Sequence, residues 1–344
     1  MMLTERAIAP SGDSGSDRFE VALATDADAA YAPQPPGDLV LAVDLGGTKV
    51  QAALVGRRGE VLAESLRKRP TGRHRSRDAL EATIVGVAED AADCLPGGAR
   101  LIGVGVSTAG PVDVERRMTS PLNLPALVDL PLGRIFAGVV DGPVHVALDG
   151  ACFAVAEHWV GALRNSNNGL AVVVSTGVGG GLIVHGRCMV GRSGNAGHIG
   201  QTKIRRSRGR HSHLGTVERL ASGPSTVRWA QRRGWVGSSG EELAASYAQR
   251  DTIAVAAVRR SAEAIGQAVA NAATFLDLDT VVVGGGFAEV ATDYVDMVRE
   301  ATERATVVDY SRLVTFRRAT TGSLAPLIGA AASVLDADVA RTAS

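Results

Sequence analysis

The chain has 344 residues, of which 45% are hydrophobic and 21% are charged, and its 36 basic side chains balance its 36 acidic ones. This length exceeds what a single hydrophobic core usually serves, so we expect two domains. The charge balance excludes a global attraction to nucleic acid or anionic membranes, and an aromatic share of 4% leaves few side chains on which bases could stack.

The cysteines and the apolar runs indicate a protein of the cytoplasm. Cys94, Cys152 and Cys188 are an odd number, lie far apart and form no CxxC pair, which is typical of reduced thiols. No apolar run approaches the roughly 20 residues needed to cross a membrane, and the N-terminus has no basic-then-apolar signal pattern. We therefore expect a cytoplasmic protein with neither a membrane nor a nucleic-acid partner.

The first half of the chain predicts a leader followed by an α/β domain. Residues 1–37 mix Ser, Gly, Asp and Ala, end in a proline-rich stretch and show no periodicity, which predicts disorder. Apolar β-type runs at 39–43 and 50–55 flank two glycines and predict a strand, a turn and a strand. Further predicted elements are a helix at about 77–94, strands at 101–106 and 144–147, and a helix that begins near Asp149.

The second half repeats this order. A strand at 170–174, a glycine-rich turn and a strand at 182–184 are followed by a long Ala-rich helix at 251–276. A buried strand then runs into Gly284-Gly285-Gly286, and a last helix covers about 325–335. The similar opening of each half predicts two related α/β domains with a ligand cleft between them. We assign them to residues 38–150 and 151–324, and expect the final helix, 325–337, to pack on the first.

The glycine turns are candidates for phosphate binding. Glycine after a buried strand lets backbone N–H groups approach a phosphate, because no Cβ is in the way and positive φ is allowed. Asp44–Lys49 and Ser175–Gly181 both have this form. One such turn alone is also typical of a tight hairpin, but matching turns in two half-repeats favour phosphate. Neither has the Walker A spacing or leads into a helix, which argues against P-loop and Rossmann sites.

Four motifs together resemble the ROK group of sugar kinases and regulators. They are Asp44-Leu45-Gly46-Gly47-Thr48-Lys49, Ser175-Thr176-Gly177-Val178-Gly179-Gly180-Gly181, Ala196-Gly197-His198-Ile199-Gly200 and Val281–Gly286. Their order and spacing match over about residues 39–335, and the likeness is greatest to N-acylmannosamine kinases and bacterial glucokinases. The resemblance implies an actin-like ATPase (ribonuclease H-like) fold, Mg-ATP in the cleft and a reaction at a sugar hydroxyl. We also expect a homodimer.

The resemblance assigns a site for the nucleotide and Mg²⁺. Asp44 would lie near the Mg²⁺, usually through water, although a carboxylate there is also suited to capping the turn. The residues that would approach the transferred phosphate are Gly46, Gly47, Thr48 and Lys49. Those that would hold the rest of the nucleotide are Thr176, Gly177 and Gly179, around the other phosphates, and Gly285 and Gly286, where a side chain would collide with it.

Asp149 is the candidate general base. A kinase for a neutral hydroxyl needs a carboxylate that takes the proton as the oxygen attacks. Asp149 follows a predicted strand and stands at the N-terminus of a helix opening into the cleft, where the helix dipole favours the ionised carboxylate. Asp is also a good N-cap, and the two roles are compatible. The position in the family motif favours catalysis.

The acceptor pocket departs from the family pattern. An Asn that binds the sugar normally precedes the base, but here the residue is Leu148. The family's Ala-Gly-Glu-Ile-Gly-His has become Ala-Gly-His-Ile-Gly-Gln, which places His198 and Gln201 at positions that contact the sugar. Glu218 and Asn123 match further sugar-binding positions, although each could be an ordinary loop residue. These changes predict a substrate other than glucose, either an unusual sugar or a C7-cyclitol.

The family's structural zinc site is expected to be lost. Most members carry CxCGxxGC, whereas the matching stretch 208–216 has no cysteine, and Gln201 replaces the closing His. His211 and His213 alone do not complete a tetrahedral site. The basic run 203–210 lacks aromatics and is more typical of a solvated loop than of an anion site. A non-catalytic sugar-sensing regulator is the alternative function, but the leader shows no helix-turn-helix pattern and the candidate base is present.

Overall fold

A computed structural model of the protein describes residues 37–205 and 215–335. The leader predicted for residues 1–37, apart from its last residue, lies outside this range, as do His211 and His213 of the zinc prediction. The strands are β1 (Asp38–Leu45), β2 (Lys49–Val55), β3 (Arg67–Pro70), β4 (Arg100–Thr108), β5 (Val112–Asp113), β6 (Met118–Thr119), β7 (Val144–Leu148), β8 (Asn168–Val174), β9 (Val178–Val184), β10 (Arg187–Met189), β11 (Thr280–Gly284) and β12 (Thr315–Arg318). The helices are α1 (Arg77–Ala92), α2 (Leu132–Phe136), α3 (Asp149–Trp159), α4 (Val217–Ala221), α5 (Gly223–Gln231), α6 (Gly240–Ala248), α7 (Thr252–Leu276), α8 (Tyr294–Ala305) and α9 (Ala325–Leu335).

Two five-stranded sheets repeat the same topology. The first has the order β3-β2-β1-β4-β7 and the second the order β10-β9-β8-β11-β12. In each, an antiparallel hairpin, β1–β2 or β8–β9, joins two further strands that run parallel to its first strand. The repeat read from the sequence is therefore present in the strand order.

The first sheet is covered by helices on both faces. In α1, Leu80, Ile84 and Val87 recur at helical spacing and are fully buried, and the Ser76 side chain caps the helix by accepting a bond from the backbone N–H of Ala79. On the other face α9 packs closely on β4, because a Cβ at Gly105 would lie only 2.0 Å from the carbonyl oxygen of Ala330. Strands buried on both faces are continuous apolar runs, as β1 is.

The second sheet packs against α4 to α8, and α7 is the central helix of that layer. Asp251 caps α7 by accepting from the N–H of Ala254, and alanines and valines give it a wide buried face. None of the helices that the structure describes combines the length and the hydrophobicity needed to cross a membrane.

The carboxyl ends of β4 and β7 position the site, and both strands are longer than the sequence predicts. The structure extends β4 through Ser107 and Thr108 and β7 through Leu148. Parallel pairing places Ser107 beside Asp44 and Thr108 beside Leu148, so the carboxyl ends of β1, β4 and β7 lie side by side. Ligands of open parallel sheets bind at such ends.

Close backbone contact brings the start of α3 onto the second sheet. A Cβ at Gly150 would lie 2.2 Å from the carbonyl oxygen of Gly180, and one at Gly181 would lie 2.3 Å from the carbonyl oxygen of Gly150. The last two glycines of the turn Ser175–Gly181 therefore serve helix–strand packing. This contact holds the first residue of α3 between the two sheets.

Candidate active site

Asp44 is held at the end of β1 by two neighbouring strands. It pairs with Gln51 on β2 and with Ser107 on β4 in the sheet register. The Ser107 hydroxyl donates to one carboxylate oxygen at 2.9 Å, and Nε2 of Gln51 donates to the other at 3.1 Å. The carboxylate is buried, and this burial raises its pKa despite both hydrogen bonds. Asp44 thus has a fixed orientation in the cleft floor.

The residues around Asp44 fit a magnesium ion that is held mainly by substrate phosphates. Mg²⁺ prefers oxygen ligands and is usually bound through one or two carboxylates plus phosphates and water. Besides Asp44, the buried Oε1 of Gln51 has no hydrogen-bond partner among the described residues, so an acceptor oxygen is left available next to this carboxylate. Gln51 and Ser107 were not found from the sequence, although the hairpin register makes Gln51 the cross-strand partner of Asp44.

Asp149 is the first residue of α3, directly after β7. Leu148, not Asp149, is the N-cap residue, so the capping alternative in its simple form is wrong. The Asp149 carboxylate instead accepts from the N–H of its neighbour Gly150 at 2.7 Å. Burial, followed by the nearby charge of Asp44, raises the pKa of Asp149 to about 7; the hydrogen bond from Gly150 lowers it and the charge of Glu218 adds to the rise.

This pKa corrects the expectation that the helix dipole would keep Asp149 ionised. Desolvation by burial and the charges of Asp44 and Glu218 raise the pKa by more than the hydrogen bond from Gly150 lowers it. A pKa near the working pH is the value at which a general base combines availability with basicity.

The first glycine turn packs against the loop that carries Asn123, one of the predicted sugar contacts. Gly46 closes the turn by donating its N–H to the carbonyl of Lys49 at 3.0 Å, which leaves Thr48 and Lys49 exposed. At Gly47 a Cβ would lie 2.8 Å from the Cβ of Asn123, so the loop that carries Asn123 lies directly against this turn.

Glu218 holds the second glycine turn. A Cβ at Gly177 would lie 2.7 Å from Oε2 of Glu218, and the same oxygen accepts from the N–H of Val178 at 3.1 Å. A Cβ at Gly179 would be 4.0 Å from Oδ1 of Asp149. The turn therefore runs between the helix that carries Glu218 and the candidate base.

The other predicted sugar contacts adjoin the same groups. Nε2 of Gln201 donates to Oε1 of Glu218 at 3.4 Å. A Cβ at Gly110 would lie 3.0 Å from Cε1 of His198 and 2.6 Å from Cδ1 of the buried Leu148. Burial lowers the pKa of His198, while Glu218 opposes that shift, so its imidazole is mainly neutral at pH 7. Gln201 and His198 thus lie near Glu218, whereas Asn123 lies against the first glycine turn.

A cavity of about 680 Å³ opens beside the second turn, a volume suited to a nucleotide-sized ligand. Thr176 and Gly286, two of the predicted nucleotide contacts, both line it. At Gly285 the protein backbone itself requires glycine, in addition to the predicted collision with a nucleotide. Its φ is +94°, and a Cβ would lie 2.5 Å from the carbonyl oxygen of Val174. Ser175, the first residue of the predicted turn Ser175–Gly181, also lines the cavity. The lining residues that the sequence does not predict are Gly223, Pro224, Val227, Arg228, Gln231, Ser238, Ser239, Gly240, Glu241, Ala244, Phe287, Glu289 and Val290.

Within residues 37–205 and 215–335, no three His, Cys, Asp or Glu side chains come together in a metal-binding group. Two of the residues on which the zinc prediction depends, His211 and His213, lie outside these ranges. The absence of a structural zinc ion stays a prediction.

Comparisons with known proteins place the chain in a family. The model of the ROK family matches residues 40–337. An N-acetylmannosamine kinase of Yersinia pseudotuberculosis is 33% identical over 266 residues, which cover 75% of this chain and 86% of that relative.

Solved structures of ROK family proteins are also similar to this chain. A ROK family glucokinase from Streptomyces griseus, in complex with glucose and AMPPNP, superposes with a TM-score of 0.75 at 27% identity and covers 86% of this chain and 99% of that one. A ROK hexokinase from Thermus thermophilus gives 0.72 at 29% identity, with 86% and 97% covered. These matches confirm the predicted actin-like ATPase fold. The chain belongs to the ROK family.

Proposed function

We propose that this protein is an ATP-dependent kinase that transfers the γ-phosphoryl group to a hydroxyl of a sugar or sugar-like cyclitol. The observation that carries the proposal is the position of Asp149: its Oδ1 would lie 4.0 Å from a Cβ at Gly179 of the second glycine turn, and the charges of Asp44 and Glu218 act on it. The names of the relatives, an N-acetylmannosamine kinase and a glucokinase, support a sugar as acceptor.

In the proposed reaction Asp149 takes the proton of the acceptor hydroxyl. The hydroxyl oxygen forms a bond to the γ-phosphorus, the bond from phosphorus to the β,γ-bridging oxygen breaks, and ADP leaves. Magnesium, when bound with the nucleotide near Asp44, supplies positive charge for the phosphates. Thr48, Lys49 and the N–H groups of the second turn hold the phosphate oxygens in the proposed site, while the two sheets restrict access of water.

The alternative function, a sugar-sensing regulator, does not account for the buried carboxylates of Asp149 and Asp44. A protein that only senses sugar has no use for a carboxylate whose pKa lies near 7 beside a second buried carboxylate, since that arrangement opposes stability at neutral pH. A sugar-dependent release of ADP distinguishes the two functions, because a sensor would bind sugar without turnover.

The acceptor is proposed to be an N-acylhexosamine or a C7-cyclitol and not glucose. Leu148 presents hydrocarbon where the family pattern has an amide, and His198 and Gln201 alter the hydrogen bonds facing the ring. A site that leaves substrate hydroxyls unmatched discriminates by orders of magnitude.

We expect a panel of glucose, N-acylhexosamines and C7-cyclitols to show this preference. The kcat/KM for glucose should be at least about tenfold below that of the best acceptor, which corresponds to the loss of roughly one hydrogen bond. ADP release with each acceptor, against a control without acceptor, measures it. Glucose as the best acceptor would show that the substitutions are compensated.

Filling the nucleotide cavity should weaken ATP binding without harming the fold. A Cβ at Gly286 has no atom within 4 Å and the residue does not need positive φ, so Gly286→Leu is expected to project into the cavity. We expect KM for ATP to rise about tenfold or more, roughly 1.4 kcal/mol of binding, with unchanged KM for the acceptor. Gly97→Leu, equally open but outside the cavity, is the matched control. Equal KM values for ATP in both variants would contradict the assignment.

A further inference from the structure

Five arginines and one tryptophan line an open surface of the second domain, which we call the arginine basin. It is an open cavity of about 710 Å³ that lies outside the candidate active site. Its side chains come from the segment after the 3-10 helix Ile199–Gln201, from α5 and the turn after it, and from α7 and the residue at position 250, just before α7. The lining residues are Arg205, Trp229, Arg233, Arg250, Thr252, Val255, Ala256, Arg259, Arg260 and Glu263.

Within residues 37–205 and 215–335, the arginines of the basin form no ion pairs with acidic side chains. Among the described lining residues, Glu263 is the one carboxylate. Residues 206–214, which follow Arg205 in the chain, contain no acidic residue. The lining therefore has five arginines and one carboxylate, and Arg259 and Glu263 also border an adjoining cavity that contains Asp293, Asp296 and Glu300.

Specific contacts keep these like charges together. The guanidinium carbon of Arg233 lies 3.7 Å from the centroid of the Trp229 ring, and that of Arg260 lies 5.5 Å from it. Arg260 also donates to the carbonyl oxygen of Leu220. Burial, together with the charges of Arg205, Arg232 and Arg233, lowers the pKa of Arg260 to about 10. Holding repelling guanidinium groups in fixed positions opposes folding, so it calls for a ligand that relieves it.

We propose that the arginine basin binds a small, multiply charged phosphate anion, such as an oligophosphate or a phosphorylated metabolite. The planar fork of Arg matches phosphate oxygens in a bidentate way, and several guanidinium groups suit a ligand with several phosphoryl oxygens. The binding of nucleic acid fits less well, because Trp229, the aromatic side chain in the lining, already has Arg233 stacked against its ring.

Two elements join the basin to the cleft. Helix α5 has Trp229 on the basin side, while Val227, Arg228 and Gln231 line the nucleotide cavity. The carbonyl that Arg260 holds belongs to Leu220, in the same short helix as Glu218. An anion in the basin would therefore contact the rear of the elements that form the candidate active site.

Titration with tripolyphosphate tests the proposal. Arg233→Gln combined with Arg250→Gln removes two exposed basin charges, and Arg164→Gln combined with Arg187→Gln removes two exposed charges of the same domain outside the basin. We expect the basin variant to bind tripolyphosphate at least about tenfold more weakly by calorimetry, since a charge-assisted hydrogen bond contributes roughly 1.5 kcal/mol or more. The control variant should bind as the wild type does, and added salt should weaken wild-type binding more than binding by the basin variant.

The Gly286→Leu variant separates the basin from the nucleotide cavity. Binding that persists in Gly286→Leu and weakens in the basin variant supports the proposal. Equal affinity of the basin and control variants would overturn it, as would loss of all tripolyphosphate binding in Gly286→Leu. The proposal would also be overturned if a short RNA bound more tightly than tripolyphosphate. It would likewise be overturned if the wild type bound no anion and the basin variant changed from dimer to monomer, because the surface would then contact a second copy of the chain.

Discussion

Replacing Asp149 with asparagine is expected to lower kcat by roughly 10² to 10⁴, the contribution usual for a positioned general base. Asparagine keeps the size of the side chain and can still accept the hydrogen bond from the N–H of Gly150, but it cannot take a proton from the acceptor hydroxyl. The dissociation constant of ATP should hardly change, because the phosphates are assigned to the glycine turns and Mg²⁺. Steady-state kinetics and nucleotide titration on the same sample measure both quantities.

The pH dependence of the wild-type enzyme should report the same group. The proposed mechanism requires the deprotonated carboxylate, so kcat/KM is expected to rise with pH and level off above an apparent pKa of about 7 in the free enzyme. Because the folded pKa is raised from 3.8, the folded state binds this proton more tightly than the unfolded chain does. The associated stability is present below pH 3.8 and is lost as the pH rises to about 7.

Melting temperature distinguishes catalysis from a structural role of Asp149. The side chain in Asp149→Asn carries no charge, so this variant should melt at or above the temperature of the wild type at pH 8, where the buried aspartate is ionised. A structural role predicts the reverse, namely lower stability with near-normal turnover of the folded fraction. Full activity of Asp149→Asn at saturating acceptor would reject the assignment of the base.

Replacing Glu157 with alanine is expected to cause the largest loss of stability. Glu157 is fully buried within α3 and accepts hydrogen bonds from the backbone N–H groups of Ala162, Thr320 and Thr321, and from the Thr321 hydroxyl. It thereby ties α3 to the segment that precedes α9. Alanine would leave these donors without their acceptor, at about 1 kcal/mol or more for each of three N–H groups. At roughly 2–4 °C per kcal/mol, the melting temperature should fall by about 6–12 °C.

Glu157→Gln provides the matched comparison. The amide retains an acceptor oxygen but also brings two N–H donors into a buried set of donors, so we expect a smaller loss of melting temperature than for alanine. Glu300→Ala, at an exposed site on α8, should leave the melting temperature within about 1 °C. Melting curves with and without nucleotide provide the measurement. A melting temperature of Glu157→Ala equal to that of Glu300→Ala would contradict this account of how α3 is anchored.

The parts of the fold that sequence reasoning reaches are those with local signals. Apolar runs that end in glycine turns predict the two hairpins, because buried strands in a parallel sheet are continuously apolar and a close approach of backbone requires glycine. The position of Asp149 follows from the strand before it and the helix after it. The predicted strand ends are less accurate, because Ser107 and Thr108 are polar and do not belong to an apolar run.

Residues that act through distant pairing escape such reasoning. Gln51 and Ser107 orient Asp44 only once β2 and β4 flank β1. Two of the partners of Glu157, Thr320 and Thr321, lie more than 160 positions away. Arg205 belongs to a basic run that is typical of a solvated loop in the sequence, because Trp229, which lines the same cavity as Arg205, comes from a distant helix. The raised pKa of Asp149 likewise depends on burial and on two carboxylates from separate segments.

Transfer of a radiolabelled γ-phosphate from ATP to the best acceptor of the panel tests the central claim most directly. The wild-type protein should move the label onto the acceptor in proportion to the ADP released, and Asp149→Asn, at equal occupancy by ATP, should move at least about a hundredfold less in the same time. Label that stays with ATP in the presence of every acceptor, or that moves equally well with Asp149→Asn, would contradict an Asp149-dependent sugar kinase.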